Sequence, residues 1–250
     1  MLQIRERIDL SPSQLEFRFK NHLLQSLLGS LPFYFIRRTL YKHTPLRQIM
    51  SRRNSLNERV AEYPYVFSQL AKHPEIKTVL DIGSAFSLLP IQLATLGYQV
   101  TGLDIIDSGD TYHPNFVQIV SDLFDNKLPD NSFDAVISIS TIEHMGFGVF
   151  GDKVIPDADV RAFEIVHRLL KSGGIAIITV PVVDATNPWY KKTTYFSKER
   201  IALVTKTFQV LEHRLLSRTS HWQTDAEIDY FSSASEIGIY NVHLLTLQKR

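Results

Sequence analysis

From residue 77 onward the chain alternates short apolar runs with amphipathic ones, and this alternation restricts the fold more than any other feature. "KTVLDI" (77–82), "QVTGLDI" (99–105), "NFVQIV" (115–120), "FDAVISIS" (133–140) and "GIAIITV" (174–180) have the length and β-branched content of buried strands. "SLLPIQLATLGY" (87–98) reads as a helix closed by Gly97, with Pro90 in the first turn, where its missing N–H costs little. "DADVRAFEIVHRLL" (157–170) places Val160, Phe163, Val166 and Leu170 on one helical face. Lys171 suits the end of that helix, and Gly173 suits a left-handed stop. Residues 197–205 form a last helix, and "FQVLEHRLL" and "IYNVHLLTL" are two late strands. Strands alternating with helices predict an α/β fold, a doubly wound, mostly parallel sheet of seven strands covered on both faces. The two late strands are close enough in sequence to pair as a hairpin.

Residues 1–72 differ. Leu15, Phe19, Leu23, Leu24, Leu27 and Leu28 recur at helical spacing over 12–30. Leu56, Val60, Tyr63, Val66, Phe67 and Leu70 do so over 55–72, with Pro64 expected to kink or split that helix. The chain therefore divides into an N-terminal helical extension or cap, 1–72, and a sheet domain, 73–250. Residues 1–60 hold 11 Lys+Arg against 4 Asp+Glu, a net +7, while the whole chain carries +1. A basic segment on a mildly acidic body is either a solvated surface or a docking arm for phosphates.

Composition removes several classes. With no cysteine there are no disulfides, no thiolate nucleophile and no cysteine-ligated zinc. "MLQIRERIDL" lacks the apolar core of a signal peptide, and "LLQSLLGSLPFYFIRR" is too short and too broken by Gly29 and Pro32 to span a bilayer. A cytoplasmic location and no transmembrane segment are the expectations.

In doubly wound sheets ligands bind beyond the carboxyl ends of the strands. Residues able to do chemistry gather there: Asp81 and Gly83, Asp104, Asp122, then Ser140, Glu143 and His144, and finally the stretch Pro181–Tyr195. Asp104, at the end of the second strand, can accept hydrogen bonds from both hydroxyls of an adenosine ribose. The first turn does not suit a dinucleotide. Its three glycine positions read Gly83, Ala85 and Leu88, and Asp81 would repel a pyrophosphate. A cationic nucleoside such as S-adenosylmethionine, with a sulfonium, an ammonium and no phosphate, tolerates that carboxylate.

"VLDIGSAFS" resembles motif I of the class I S-adenosylmethionine-dependent methyltransferases, usually close to V-L-D-x-G-x-G-x-G, with Ala85 and Ser87 in place of two glycines. "VTGLDI", "VSDLFDNKLPDNSFDAVISISTIEHM" and "HRLLKSGGIAIITVP" resemble the later motifs in order, over 78–181. "NERVAEYPYVF", "IEHMGFGVFGD" and "NPWYKKTTYFSKERI" resemble a subgroup associated with polysaccharide and other small-molecule methylation. The resemblance implies a Rossmann-like fold and S-adenosylmethionine as cofactor. It implies that Asp81 orients the methionine ammonium, that Gly83, Ser84 and Ala85 pass under the cofactor, and that Asp104 binds ribose. Ile105 would pack on adenine, Asp122 would accept its amino group beside Leu123, and Ser140 would line the methionine end.

Methyl transfer is an in-line displacement that depends on alignment, and a hydroxyl acceptor gains from a nearby base. His144 is the candidate base, because an ordinary imidazole titrates near neutral pH, and Glu143 could orient it. Tyr190, Tyr195 and His221 are candidate acceptor-binding side chains. The glycine-rich, aromatic loop 146–159 reads as a mobile lid or a plain connection. Family members that bind a divalent metal carry a Glu-x-x-Glu-His run, and Ser140 stands at its first position, so no metal site is expected. The leading expectation is O-methylation of a small molecule, such as a saccharide or glycolipid precursor. An RNA methyltransferase using the basic segment, and a non-catalytic module on the same fold, stay open. Nucleic acid is a disfavoured partner, since "STIE" replaces the Asn/Asp-Pro-Pro-Tyr-type motif of base-nitrogen methylating enzymes. No residue names the acceptor or the oligomeric state.

Overall fold

The structure, a computed structural model, describes residues 59–85, 87–107, 113–182, 193–194, 196–216 and 241–250. They belong to one compact unit that begins at Glu58. The basic segment, the helix expected over 12–30, and Tyr190, Tyr195 and His221 lie outside the described residues. Among the described residues no helix is long and apolar enough to cross a membrane.

The first element, α1, is Arg59–Ala71. Pro64 neither splits nor ends it: the proline lies on the exposed face, and its missing N–H removes one helical bond while the buried face holds the helix to the sheet. The helix buries Ala61, Tyr65, Val66 and Leu70, and it belongs to the same compact unit as the sheet rather than to an extension ending at residue 72.

The strands are β1 (Thr78–Ile82), β2 (Gln99–Asp104), β3 (Phe116–Val120), β4 (Phe133–Ile139), β5 (Leu170–Val182), β6 (Phe208–Leu216) and β7 (Asn241–Lys249). They form one seven-stranded sheet in the order β3-β2-β1-β4-β5-β7-β6. The pairs β1–β2, β2–β3, β1–β4 and β4–β5 are parallel. Strand β7 runs antiparallel between β5 and β6, so the expected late pair is present and closes one edge of a Rossmann-like sheet. The helices α2 (Leu89–Thr95), α3 (Ala158–Leu169) and α4 (Lys198–Thr205) complete the layers.

Strand side chains alternate between two cores, as the period of two requires. On one face Leu80, Ile82, Val136 and Ile178 pack with Phe163, Val166 and Leu169 of α3 and Ile201 and Val204 of α4. On the other, Val79, Ile137 and Ile177 pack with Tyr65, Val66 and Leu70 of α1 and with Leu89 and Leu93 of α2. The chain leaves β1 toward β2 on one side and returns to β4 on the other. The switch point, and with it the crevice, lies at the carboxyl ends of β1 and β4.

Two expectations at the end of α3 are corrected. Gly173 does not stop α3, which ends at Leu169 with Leu170 already extended. Gly173 has φ +75 inside the start of β5, where the pairing to β4 slips between Phe133 and Ala135. Lys171 is likewise not a helix-end cation; its Nζ lies 2.7 Å from Asp134.

Candidate active site

The turn after β1 is built around one glycine. Gly83 has φ +84, its N–H donates to the Leu103 carbonyl at 2.8 Å, and a Cβ there would lie 2.3 Å from the Thr141 side chain. No other residue fits. Ala85 and Ser87 are not among the described non-glycine residues with positive φ, so no glycine is required at either position. The Ala85 N–H donates to Asp104 Oδ2, and the Ile106 N–H donates to Asp104 Oδ1, each at 2.9 Å. Asp104 therefore ties the first turn to the end of β2, and each oxygen keeps a further lone pair for a ligand. The Ser84 side chain is buried over Gly102.

The crevice is a cleft of about 210 Å³ at the switch point. Asp81, Gly83 and Asp104 lie along it, and Ile105, Leu123 and Phe124 supply apolar wall. Asp122 also lines it. Its Oδ1 accepts the Phe124 N–H at 2.9 Å and caps the 3-10 turn Leu123–Asp125. Past β4 come Ser140, Thr141, His144 and Met145. The loop after them is held by one side chain: Asp152 accepts the N–H groups of Gly146, Gly148 and Phe150. Burial works against the charge of Asp152, but those three donors hold its carboxyl below the usual range. Phe150 from this loop lines the cleft and meets the His144 ring edge-on at 6.1 Å.

Asp81 is the most perturbed group. It is 2% exposed, and among the described residues its Oδ2 has no hydrogen-bond partner. Burial pushes its pKa up to about 8, with Asp104 adding to the rise and Arg59 opposing it. A buried carboxylate in this state fits a cationic ligand.

Two residues at this site escaped the sequence reading. Arg59 lines the cleft from the start of α1, and its Nη1 donates to Glu62 Oε2 at 2.7 Å. Glu62 is fully buried, and its Oε1 accepts the hydroxyls of Ser140 at 2.7 Å and Thr179 at 2.6 Å. The signal was local: a spacing of three puts Arg59 and Glu62 on one face of a helix. The candidate pair past β4 divides in two. His144 has a half-exposed side chain at the cleft, with Nδ1 3.4 Å from Thr193 Oγ1. Glu143 is buried and does not line the cleft; its Oε1 is 3.8 Å from His144 Nε2. From behind the ring it can support the imidazole.

The cleft thus offers carboxylates for hydroxyl, amino and ammonium donors, and an apolar wall for a flat ring. Residues 80–178 match a family described as "Methyltransferase domain". The chain resembles the 1,6-didemethyltoxoflavin-N1-methyltransferase of Burkholderia thailandensis, solved with 1,6-didemethyltoxoflavin and S-adenosylhomocysteine. Identity there is 14%, over 98% of this chain and 93% of that chain, with TM-score 0.55. It resembles the PH0226 protein of Pyrococcus horikoshii OT3 (18% identity, 86% and 98% covered, TM-score 0.54). It also resembles the 4+2 cyclase SpnF (17% identity, 74% and 79% covered, TM-score 0.54). At such identities the likeness is one of fold, and the name of the third shows that this fold also carries other chemistry. No curated protein matches the chain. The family match spans the four strands whose ends build the cleft, so residues 80–178 carry the methyltransferase domain and the chain is an S-adenosylmethionine-dependent methyltransferase.

Proposed function

We propose that the enzyme methylates a hydroxyl of a small molecule, a saccharide or glycolipid precursor being the favoured class, with His144 as general base. The observation that carries this is the position of His144: a half-exposed imidazole on the cleft, backed by a buried carboxylate 3.8 Å away. When bound, S-adenosylmethionine supplies an electrophilic methyl on a sulfonium. Asp81 would hold its ammonium, Gly83 and Ala85 would pass beneath it, Asp104 would accept the ribose hydroxyls, and Arg59 would face the carboxylate. Asp122 would accept the adenine amino group, with Ile105 and Leu123 against the ring and Ser140 at the methionine end. His144 would take the hydroxyl proton as the new O–C bond forms and the methyl–sulfonium bond breaks, the neutral thioether being the leaving group, and Glu143 would steady the imidazolium. Tyr190, Tyr195 and His221 are proposed on the acceptor side.

The test is methyl transfer from tritiated S-adenosylmethionine into pooled hydroxylated small molecules and, separately, into RNA. Label in a hydroxylated small molecule, lost in His144→Ala while S-adenosylhomocysteine still binds, supports the reading. Label in RNA, or on nitrogen of the small-molecule product, overturns it.

A further inference from the structure

The hydrogen-bond directions around Glu62 constrain what Ser140 can offer a ligand. Ser140 follows β4 with φ +45, a left-handed conformation that a serine keeps only when its surroundings hold it. Its N–H donates to both the carbonyl and the hydroxyl oxygen of Thr179, at 3.1 and 3.0 Å. The Thr179 hydroxyl has one hydrogen, and that hydrogen goes to Glu62 Oε1 at 2.6 Å. The Ser140 hydroxyl also has one hydrogen, and it goes to the same Glu62 oxygen at 2.7 Å. The other oxygen of Glu62 is taken by Arg59. Glu62 is fully buried, so water does not compete for these bonds.

We infer that Glu62 is a positioning residue that fixes the polarity of the site. By taking the only hydrogen of the Ser140 hydroxyl, it leaves an oxygen that can accept but not donate, lining the cleft on the strand beside Asp81. A carboxylate and an obligate acceptor on neighbouring strands match a ligand group with several hydrogens and a positive charge. Under the reading of the cleft as the S-adenosylmethionine site, on which this inference rests, that group is the ammonium of the cofactor. Glutamine at position 62 would undo the arrangement, because its amide can donate to Ser140 and turn the hydroxyl around.

Three probes separate the possibilities by calorimetry. S-adenosylhomocysteine carries ammonium and carboxylate, S-adenosyl-3-thiopropylamine keeps only the ammonium, and 5′-methylthioadenosine has neither. Glu62→Gln and Ser140→Ala are each expected to weaken the first two probes by about ten- to a hundredfold, the worth of a hydrogen bond to a charged group. Binding of 5′-methylthioadenosine should be unchanged, which also shows that both variants are folded. The double variant should be no worse than either single one, since both act on the same bond. Weakening confined to S-adenosylhomocysteine would trace the loss to a displaced Arg59 and overturn the inference. Loss of all three probes would give Glu62 a purely architectural role and overturn it too, as would Glu62→Gln binding like the wild type. A wild type that binds none of them would overturn the cofactor site itself.

Discussion

Asp81 carries the clearest consequence of a single residue's environment. Its carboxyl is ionised with difficulty because burial removes it from water, so in the ligand-free protein it holds a proton up to pH about 8. A folded pKa above the unfolded value near 3.8 means that its contribution to stability is full below that value and is lost as pH rises through about 8. Asp81→Asn should therefore raise the melting temperature of the ligand-free protein at alkaline pH and change little in acid. The same substitution should abolish tight S-adenosylhomocysteine binding, because the cation loses its partner. In the wild type a bound ammonium reverses the balance and expels the proton. Affinity should then rise with pH up to about 8. Calorimetry in buffers of different ionisation enthalpy should detect close to one proton released per ligand below that pH and none above it. Gly83 gives a second expectation at this scale. Gly83→Ala adds a Cβ 2.3 Å from Thr141 at a φ of +84, so it should destabilise the protein by about 1–3 kcal/mol and close the cleft to S-adenosylhomocysteine. Adding Thr141→Gly should recover part of the affinity by removing the clash while leaving the backbone strain.

The edge built by β6 and β7 shows how a pair of elements sets a pH response away from the cleft. His243 on β7 is fully buried, with its Nδ1 2.8 Å from Nε2 of His213 on β6. Burial, and then the charge of His213, drive its pKa down to about 3. Because the folded value lies below the unfolded 6.5, stability is present above pH about 6.5 and is lost as pH falls toward 3. The loss should be about 1.4 kcal/mol per pH unit for this one group. His243→Leu should flatten the decline in melting temperature between neutral and mildly acid pH; an unchanged slope would assign it to other groups. At this scale most of the fold was legible in the sequence. The strands carry the period of two, and the residues that do chemistry stand at their carboxyl ends, where parallel topology must gather them. Gly173 was misread because a helix stop and a strand bulge ask for the same positive φ, and a local pattern cannot separate them. The spacing of three could pair Glu62 with Arg59 but not tie it to the site, because its partners Ser140 and Thr179 are 78 and 117 residues away in sequence.

For the molecule as a whole, the question is where the folding unit starts. The sequence alone places a break near residue 72, since α1 precedes the first strand. The packing argues for Glu58 instead. Helix α1 buries Tyr65, Val66 and Leu70 against the sheet, and the Tyr65 hydroxyl is 2.7 Å from Thr246 Oγ1 on β7. Glu62 joins the same helix to β4 and β5 through Ser140 and Thr179. Each of the three apolar side chains is worth about 1.5–3 kcal/mol when fully buried, so removing them costs about 5–9 kcal/mol. That equals much of the roughly 5–15 kcal/mol by which a domain is stable. Removing α1 also strips partners from buried hydroxyls, each left at a cost of about 1–3 kcal/mol. A fragment of residues 58–250 should therefore melt in a single cooperative transition and bind S-adenosylhomocysteine, whereas a fragment of 73–250 should be insoluble or melt without a transition. Binding by the shorter fragment at the affinity of the longer one would show that α1 is dispensable to the site. Failure of the longer fragment to fold would move the start of the core to a point before Glu58.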